Sequence, residues 1–562
     1  MTTSPSPSKT APRSPLLLAG VVALSLFLSG FCGIISELSL FNLAETLLGG
    51  TNTNLTYTMG LMMFAMGMGA ALSAHRLFQK VSVEMFILVE FLLSLLTMSS
   101  VVLIFTLSGW FPGSAKPLIW VFSPLIGLLV GLEIPLVLRI NESLGLRLRV
   151  NAAVAMAPDY LGSLVAFAGF SFILLPAFGL GHVAWVGGAL NLMVAGLVAA
   201  VFSSHLKRAR LVWAGFSLLL ALTILMGWAM PGLMARAEQL HFRDGVVVAK
   251  ETPYQRLVIT DRKKPGHQRA HNPMGQTRGI VVNGAAELRE STGRLPFFCQ
   301  EDIRLFINGG LQFSTCDEHR YHEMLVHPAV SLFGQPVRAL VLGGGDGMAI
   351  RELLKHPLKE LVLVELDPEM VRLFRDDPLF ARLSGGALSD ARVRVQVRDA
   401  YRFLRETSET FDLILMDFPD PHRTATARLY SLQFFQTLKR ALAKGGVVAT
   451  QSMSPLFHPM AFLSVRKTME AAGFHVVSLQ LPMLTFEHWG FQVGTLHLSQ
   501  ADMEKRLDAF SPTVPTRYLN REAMQAARRW EHSMPFDAAD IPVNDQFRLP
   551  LLQLYRGGAQ SR

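Results

Sequence analysis

The sequence predicts an α-helical multi-span membrane domain followed by an α/β Rossmann-like domain with a small β-region at its entry. Three observations predict it. Apolar runs of membrane-spanning length crowd the chain before residue 232. Short Val- and Ile-rich segments bounded by turn residues begin at Gly245. From Val337 onward strands alternate with helical segments, and the first such pair is joined by Gly343-Gly344-Gly345-Asp346-Gly347. Alternation of this kind builds a mostly parallel, doubly wound sheet.

A run of about 20 apolar residues can cross a hydrocarbon core. About seven runs meet that length: 16–35, 55–74, 83–107, 118–138, 153–178, 183–202 and 211–230. They define a membrane domain over residues 16–232. The Ser/Pro-rich stretch 1–15 before them is expected to be disordered. The first run is too long for the apolar core of a cleaved signal. Gly60, Gly67 and Gly69 are expected to let helices approach closely.

Basic residues alternate between the loops. Lys9 and Arg13 precede the first run, Arg76 and Lys80 follow the second, Arg139, Arg147 and Arg149 the fourth, and Lys207, Arg208 and Arg210 the sixth. The positive-inside rule then places the N-terminus in the cytoplasm of a multi-pass cell-membrane protein. Seven crossings would leave the C-terminal domain outside. Glu37, Glu90, Glu133 and Asp159 fall in or near the apolar runs. Such acids are costly in a membrane and are functional candidates by default, although a structural hydrogen bond is the plainer reading. Glu133 and Asp159 flank the loop that holds Arg139, so an ion pair is expected there.

The whole chain has 562 residues, a net charge of +9 and an apolar half. The basic excess sits largely in the loops between runs, and no nucleic-acid-binding motif accompanies it, so no nucleic-acid partner is expected. Cys32, Cys299 and Cys316 are an odd, widely spaced set, which gives neither a disulfide framework nor a metal site.

After the membrane domain, strands are expected at 245–249, 256–260, 279–282 and 303–307, within a small β-region over 244–335 that carries polar insertions at 263–278 and 283–301. The Rossmann-like domain is expected over 336–500, with a C-terminal extension over 501–562. Its strands run 337–342, 361–364, 393–397, 411–416 and 447–450. Ligands bind at the carboxyl ends of such strands. The Gly343 and Gly345 backbone allows close approach of a ligand. Glu365 ends the next strand about 20 residues on, the spacing of a ribose-binding carboxylate. With Asp399 ending the third strand, the pattern fits an adenosyl ligand without a diphosphate.

Acids distinguish the site. Asp346 lies in the glycine loop, where a phosphate site would avoid negative charge. Asp417 and Asp420 sit together in Asp417-Phe418-Pro419-Asp420-Pro421, and Asp317, Glu318 and Glu323 precede the first strand–helix unit. Any one of them could be a turn or helix cap. Together they favour a cationic ligand.

Thr252-Pro253-Tyr254-Gln255, Asn308-Gly309-Gly310-Leu311-Gln312, Asp317-Glu318 with Tyr321-His322-Glu323, the glycine loop, Glu365-Leu366-Asp367, Asp399-Ala400 and Asp417–Pro421 resemble, in order, the motif series of spermidine synthases, the polyamine aminopropyltransferases. Arg428-Leu429-Tyr430-Ser431, Trp489-Gly490-Phe491 and the glycines at 60–69 resemble the membrane-attached branch of that family. The resemblance implies a class I methyltransferase-type fold and no metal or prosthetic group. It implies decarboxylated S-adenosylmethionine as aminopropyl donor and putrescine as acceptor, giving spermidine and methylthioadenosine. It also implies roles for single residues. Asp417 would be the general base. Gln255, Gly343, Gly345, Glu365, Asp399 and Ala400 would hold the donor, and His322, Asp346 and Asp420 the polyamine. Asn308 stands where many soluble relatives have Asp, and 422–427 lacks their Gly/Pro gate loop.

Two other readings share parts of this pattern. A methyltransferase using ordinary S-adenosylmethionine would need the glycine loop and Glu365, but not Asp346 with Asp417 and Asp420. A membrane polyamine transporter or sensor would use Glu90, Glu133 and Asp159. The expected partners are a polyamine and the lipid bilayer; the sequence leaves open whether the chain forms a homo-oligomer. Because the donor is made in the cytosol, the catalytic domain is expected to face it, against the count of crossings.

Overall fold

A computed structural model of the chain describes residues 15–48, 52–75, 83–143, 148–262, 301–485, 487–536 and 540–560. It divides into two compact units, one ending at Arg243 and one beginning at Asp244. The stretch expected to be disordered, apart from Pro15, lies outside the described residues, as do the strand expected at 279–282 and the two insertions apart from Glu301.

The first unit is helical: α1 (Pro15–Leu48), α2 (Asn52–Leu72), α3 (Val83–Trp110), α4 (Ala115–Ser143), α5 (Leu148–Gly169), α6 (Leu175–Val201) and α7 (Ala209–Gln239). Among the described residues six apolar stretches are long enough to cross a membrane, not seven, because the runs expected at 153–178 and 183–202 fall in one stretch. The fifth, Met156–Val201, is 46 residues long. It joins α5 to α6 through a π-helical turn, Phe170–Leu174, and breaks at Gly179, where φ is 72°.

Backbones touch where side chains are missing. A β-carbon on Gly69 would fall 2.1 Å from the Leu128 carbonyl oxygen, and one on Gly162 would fall 1.9 Å from that of Phe27. These glycines seat α2 on α4 and α5 on α1. Gly60 and Gly67 do not serve this purpose, since a β-carbon on either meets nothing within 4 Å. Glu133 does not need Arg139 as its partner: its carboxylate accepts from Ser29 of α1 and lies against the buried Glu90 of α3.

The second unit opens with four antiparallel strands in sequence order, β1 (Gly245–Glu251), β2 (Arg256–Asp261), β3 (Ile303–Ile307) and β4 (Gly310–Ser314). Strand β4 goes beyond the sequence expectation. It follows from Asn308-Gly309, whose φ values of 50° and 79° make the tight, left-handed turn that joins antiparallel strands.

A seven-stranded sheet follows in the order β10-β11-β9-β8-β5-β6-β7. Its parallel core is β5 (Arg338–Gly343), β6 (Glu360–Glu365), β7 (Val393–Val397), β8 (Phe411–Asp417) and β9 (Leu442–Gln451). An antiparallel pair, β10 (His475–Met483) and β11 (Glu487–Thr495), extends one edge and makes the sheet mixed. Both faces are covered, one by a cluster including Met324, Ile350 and Leu363, the other by one including Leu342, Phe434 and Val465. The central strands are therefore almost wholly apolar, as doubly covered strands must be.

The helices of the second unit include α8 (Glu318–Phe333), α9 (Met348–Leu354), α10 (Pro368–Asp376), α11 (Ala400–Glu406), α12 (Thr424–Arg428), α13 (Leu432–Arg440), α14 (Pro459–Ala471), α15 (Gln500–Asp508), α16 (Arg521–Ala527) and α17 (Pro550–Gln560). The expectation of no disulfide is corrected: Cys316 is disulfide-bonded, whereas Cys32 is free and buried. Spacing along the chain does not report distance in the fold.

Candidate active site

Strand order reverses between β5 and β8, since the chain runs β5 to β7 on one side and then returns to β8 and β9 on the other. A crevice for a ligand opens at such a switch point, beyond the carboxyl ends. Gly343, at the end of β5, pairs in register with Asp417 at the end of β8. The glycine loop runs from there into α9 with left-handed φ at Gly343, Gly344 and Gly347 (79°, 68° and 77°). It is also hemmed in. A β-carbon on Gly344 would stand 2.8 Å from Asp417 Oδ2, and one on Gly345 would stand 2.8 Å from Glu365 Cγ. The loop thus threads between two acids, which only glycine permits.

On the Glu365 side, the carboxylate accepts from the Gly345 N–H (3.2 Å) and the Asp367 N–H (2.9 Å). Burial pushes its carboxyl up to about 7 against those backbone bonds. Gln255 reaches the same strand end indirectly: its Nε2 donates to Asp367 Oδ2 at 2.9 Å, beside Thr252 Oγ1 at 2.8 Å. Asp367 therefore ties the turn after β1 to the end of β6. Asp399 caps α11 by accepting from the Arg402 N–H at 2.7 Å, and Ala400 is buried behind it. No bond links Asp399 to Glu365 among those described.

On the other side of the loop the charges interlock. Tyr321 Oη donates to Asp417 Oδ1 at 2.7 Å. Asp346 turns back to accept from the Met348 N–H (2.9 Å), and burial, offset in part by His322, raises its carboxyl to about 6. Burial would lower the His322 imidazole, but Glu318 outweighs it with a 2.8 Å bond and its charge, and Asp346 and Asp417 add to this, holding the proton up to about 9. Burial raises Asp420 to about 6 against bonds from Tyr555 (2.9 Å) and Gln451 (3.3 Å). Gln451 also donates to Tyr430 Oη at 2.7 Å and to the Phe418 carbonyl at 2.7 Å. Asp346, Asp417 and Asp420 thus act within one electrostatic cluster around His322, Tyr321 and Tyr430.

The three acids expected to join them do other work. Asp317 accepts from the Thr485 N–H and Oγ1, at 2.8 and 2.7 Å. Glu318 holds His322 and Arg351. Glu323 accepts three successive backbone N–H groups, from Arg517, Tyr518 and Leu519. Sequence reasoning gave no role to Tyr321 and Gln451, although Tyr321 stands inside a quoted motif. Tyr555 carried no signal at all.

The site pairs a glycine loop and a strand-end carboxylate with a buried acidic cluster, an arrangement suited to a nucleoside on one side and an amine on the other. A family model described as spermine/spermidine synthase domain matches residues 318–503. The chain is 35% identical over 513 residues to polyamine aminopropyltransferase 1 of Streptomyces coelicolor, covering 90% of this chain and 89% of that one. It belongs to the polyamine aminopropyltransferases. Polyamine aminopropyltransferase 2 of Aquifex aeolicus is 31% identical over 95% of this chain and 97% of its own. That of Leptospira interrogans is 32% identical over 92% and 94%. These matches run through the helical unit, so the two-part architecture is shared with the relatives. Among solved structures, a spermidine synthase in complex with the transition-state analogue AdoDATO covers 51% of this chain and 85% of its own, at 19% identity and a TM-score of 0.41. The family match and these relatives bear out the resemblance read from the motifs.

Proposed function

We propose that the protein transfers the aminopropyl group of decarboxylated S-adenosylmethionine to a diamine such as putrescine, releasing spermidine and methylthioadenosine. The observation that carries this reading is Asp417 itself: it lies against the glycine loop on one side and bonds Tyr321 on the other, with Asp346 and Asp420 in electrostatic reach.

Glu365 accepts the ribose hydroxyls, Gly343 and Gly345 make room for the nucleoside, Gln255 contacts it, and Asp399 and Ala400 face the adenine. His322, Asp346 and Asp420 line the polyamine path. An alkyl ammonium has a pKa near that of Lys, about 10.4, so at neutral pH only about one amine in a few thousand is free. Asp417 orients the attacking amine and takes its proton. The amine nitrogen bonds to the carbon next to the sulfonium, and the carbon–sulfur bond breaks with its electron pair going to sulfur. A neutral thioether leaves, so the residues need only align amine, carbon and sulfur and hold the charges.

The helical unit is read as a membrane domain in the cell membrane. Supporting this, Leu218, Ile224 and Trp228 of α7 and Phe172 are widely exposed, with Trp228 at 82%, an apolar surface that suits lipid. The domain carrying the site is placed in the cytosol because the donor is made there. Reporter fusions at Arg236 and Gly245 test that placement; an external signal at Gly245 would overturn it.

The activity is tested by incubating the protein in detergent or nanodiscs with each donor and diamine, and identifying the nucleoside by mass spectrometry. Methylthioadenosine is expected. S-adenosylhomocysteine from ordinary S-adenosylmethionine would instead establish the methyltransferase.

A further inference from the structure

The 501–562 extension reaches the site through its last helix. Helix α17 carries Tyr555, whose hydroxyl donates to Asp420 Oδ2 at 2.9 Å. The tyrosine ring stacks on His458, with centroids 4.5 Å apart and planes at 17°. The helix is anchored from both sides. Leu551 is fully buried in the core that covers β8 and β9. Just before the helix, Asn544 donates to the Ala427 carbonyl through Nδ2 and to Thr468 Oγ1 through its N–H, both at 2.8 Å. The hydroxyl of Tyr555 is thus held in place rather than sampling solvent.

A diamine acceptor poses two charge problems at once. One amine must lose its proton to attack, and the other stays an ammonium that needs a carboxylate. If Asp417 serves the first, Asp420, three residues further along the same loop, is the acid offered to the second. A carboxylate has about four acceptor sites. Gln451 takes one on Oδ1 and Tyr555 one on Oδ2. Each oxygen keeps one site for the ammonium, and the two donors fix where that site points.

We infer that Tyr555, backed by His458, is a specificity-determining residue: it orients Asp420 and closes the far end of the acceptor path, so that the C-terminal helix sets which diamine length is used. This rests on the aminopropyl-transfer reading of the site. It also gives a function to a helix more than 130 residues after Asp420 along the chain.

The test uses the full chain in nanodiscs and compares putrescine with the longer diamine cadaverine. Tyr555→Phe keeps the stacked ring and removes only the hydrogen bond. Because this bond fixes the carboxylate that receives the ammonium, KM for putrescine should rise about tenfold, with a smaller change in kcat and none in KM for the donor. Tyr555→Ala opens the end of the path, and the ratio of kcat/KM for cadaverine over putrescine should rise by about tenfold. A merely structural role would lower both diamines alike and leave the ratio fixed. Wild-type turnover with an unchanged putrescine KM in the Phe variant and an unchanged ratio in the Ala variant overturns this inference alone. No methylthioadenosine from the wild-type protein with any diamine would instead bring down the reading of the site, and this inference with it.

Discussion

Tyr321 Oη stands 2.7 Å from Asp417 Oδ1, so the acid proposed to take the substrate proton is held from α8 as well as by its own strand. Burial and the charge of Asp417 push the Tyr321 phenol well above its ordinary range, and it remains a donor at any working pH. Tyr321→Phe should therefore lower kcat by about tenfold through loss of one oriented hydrogen bond. Asp417→Asn should lower it by a factor on the order of 10²–10⁴, the usual contribution of a positioned base. Single-turnover release of methylthioadenosine measures both. Equal losses in the two variants would show that Asp417 acts only through Tyr321.

The Glu365 carboxyl is buried and raised to about 7. An ionised carboxylate can accept from two ribose hydroxyls, whereas its protonated form has one oxygen turned donor. Donor affinity should therefore strengthen as pH rises from about 6 to 8 and the group ionises. Equilibrium binding of methylthioadenosine across that range reports it. Glu365→Gln should bind weakly and with no pH dependence; a wild-type curve as flat as the variant's would remove Glu365 from the ribose site.

A further pH effect concerns stability. His322 is held up to about 9, above its ordinary value, so its pairing with Glu318 stabilises the fold fully below about 6.5 and ceases to do so as pH rises through about 9. Glu318 is lowered to about 2: burial opposes the shift, and His322 and Arg351 outweigh it. Its contribution is present above about 4.5 and lost as pH falls through about 2. Both groups are almost fully buried, so the linked term is on the order of 3 kcal/mol. Chemical unfolding should show a loss of about that size between pH 6 and pH 10, and Glu318→Gln should flatten the curve while lowering stability at pH 6.

What the sequence made legible follows local rules. Gly343–Gly347, Glu365 and Asp417 are strand-end residues whose role depends on neighbours a few positions away, and the structure brings them together at the switch point. The Asn308-Gly309 turn is equally local, yet β4 behind it carries no strand signature because only Phe313 of its five residues is a β-former of the Val/Phe kind. Long-range partners left no trace. Tyr555 reaches Asp420 from beyond residue 500, and Ser29 reaches Glu133 from another helix. The antiparallel β10–β11 edge escaped because a parallel series gives no signal of where it reverses.

Glu323 shows the cost of reading a motif acid by its neighbours. Grouped with Asp317 and Glu318, it counts among the acids that favour a cationic ligand, yet its carboxylate receives the N–H groups of Arg517, Tyr518 and Leu519 at 2.6, 2.9 and 2.8 Å. Backbone donors have no side-chain signature, so nothing in 517–519 announced the contact. Leu519 is fully buried, and removing the acceptor would strand a donor there at about 1–3 kcal/mol. Glu323→Ala should lower stability by about that amount and expose 517–519 to limited proteolysis, while surviving folded protein keeps the wild-type KM for diamine. A raised diamine KM at unchanged stability would return Glu323 to the acceptor site.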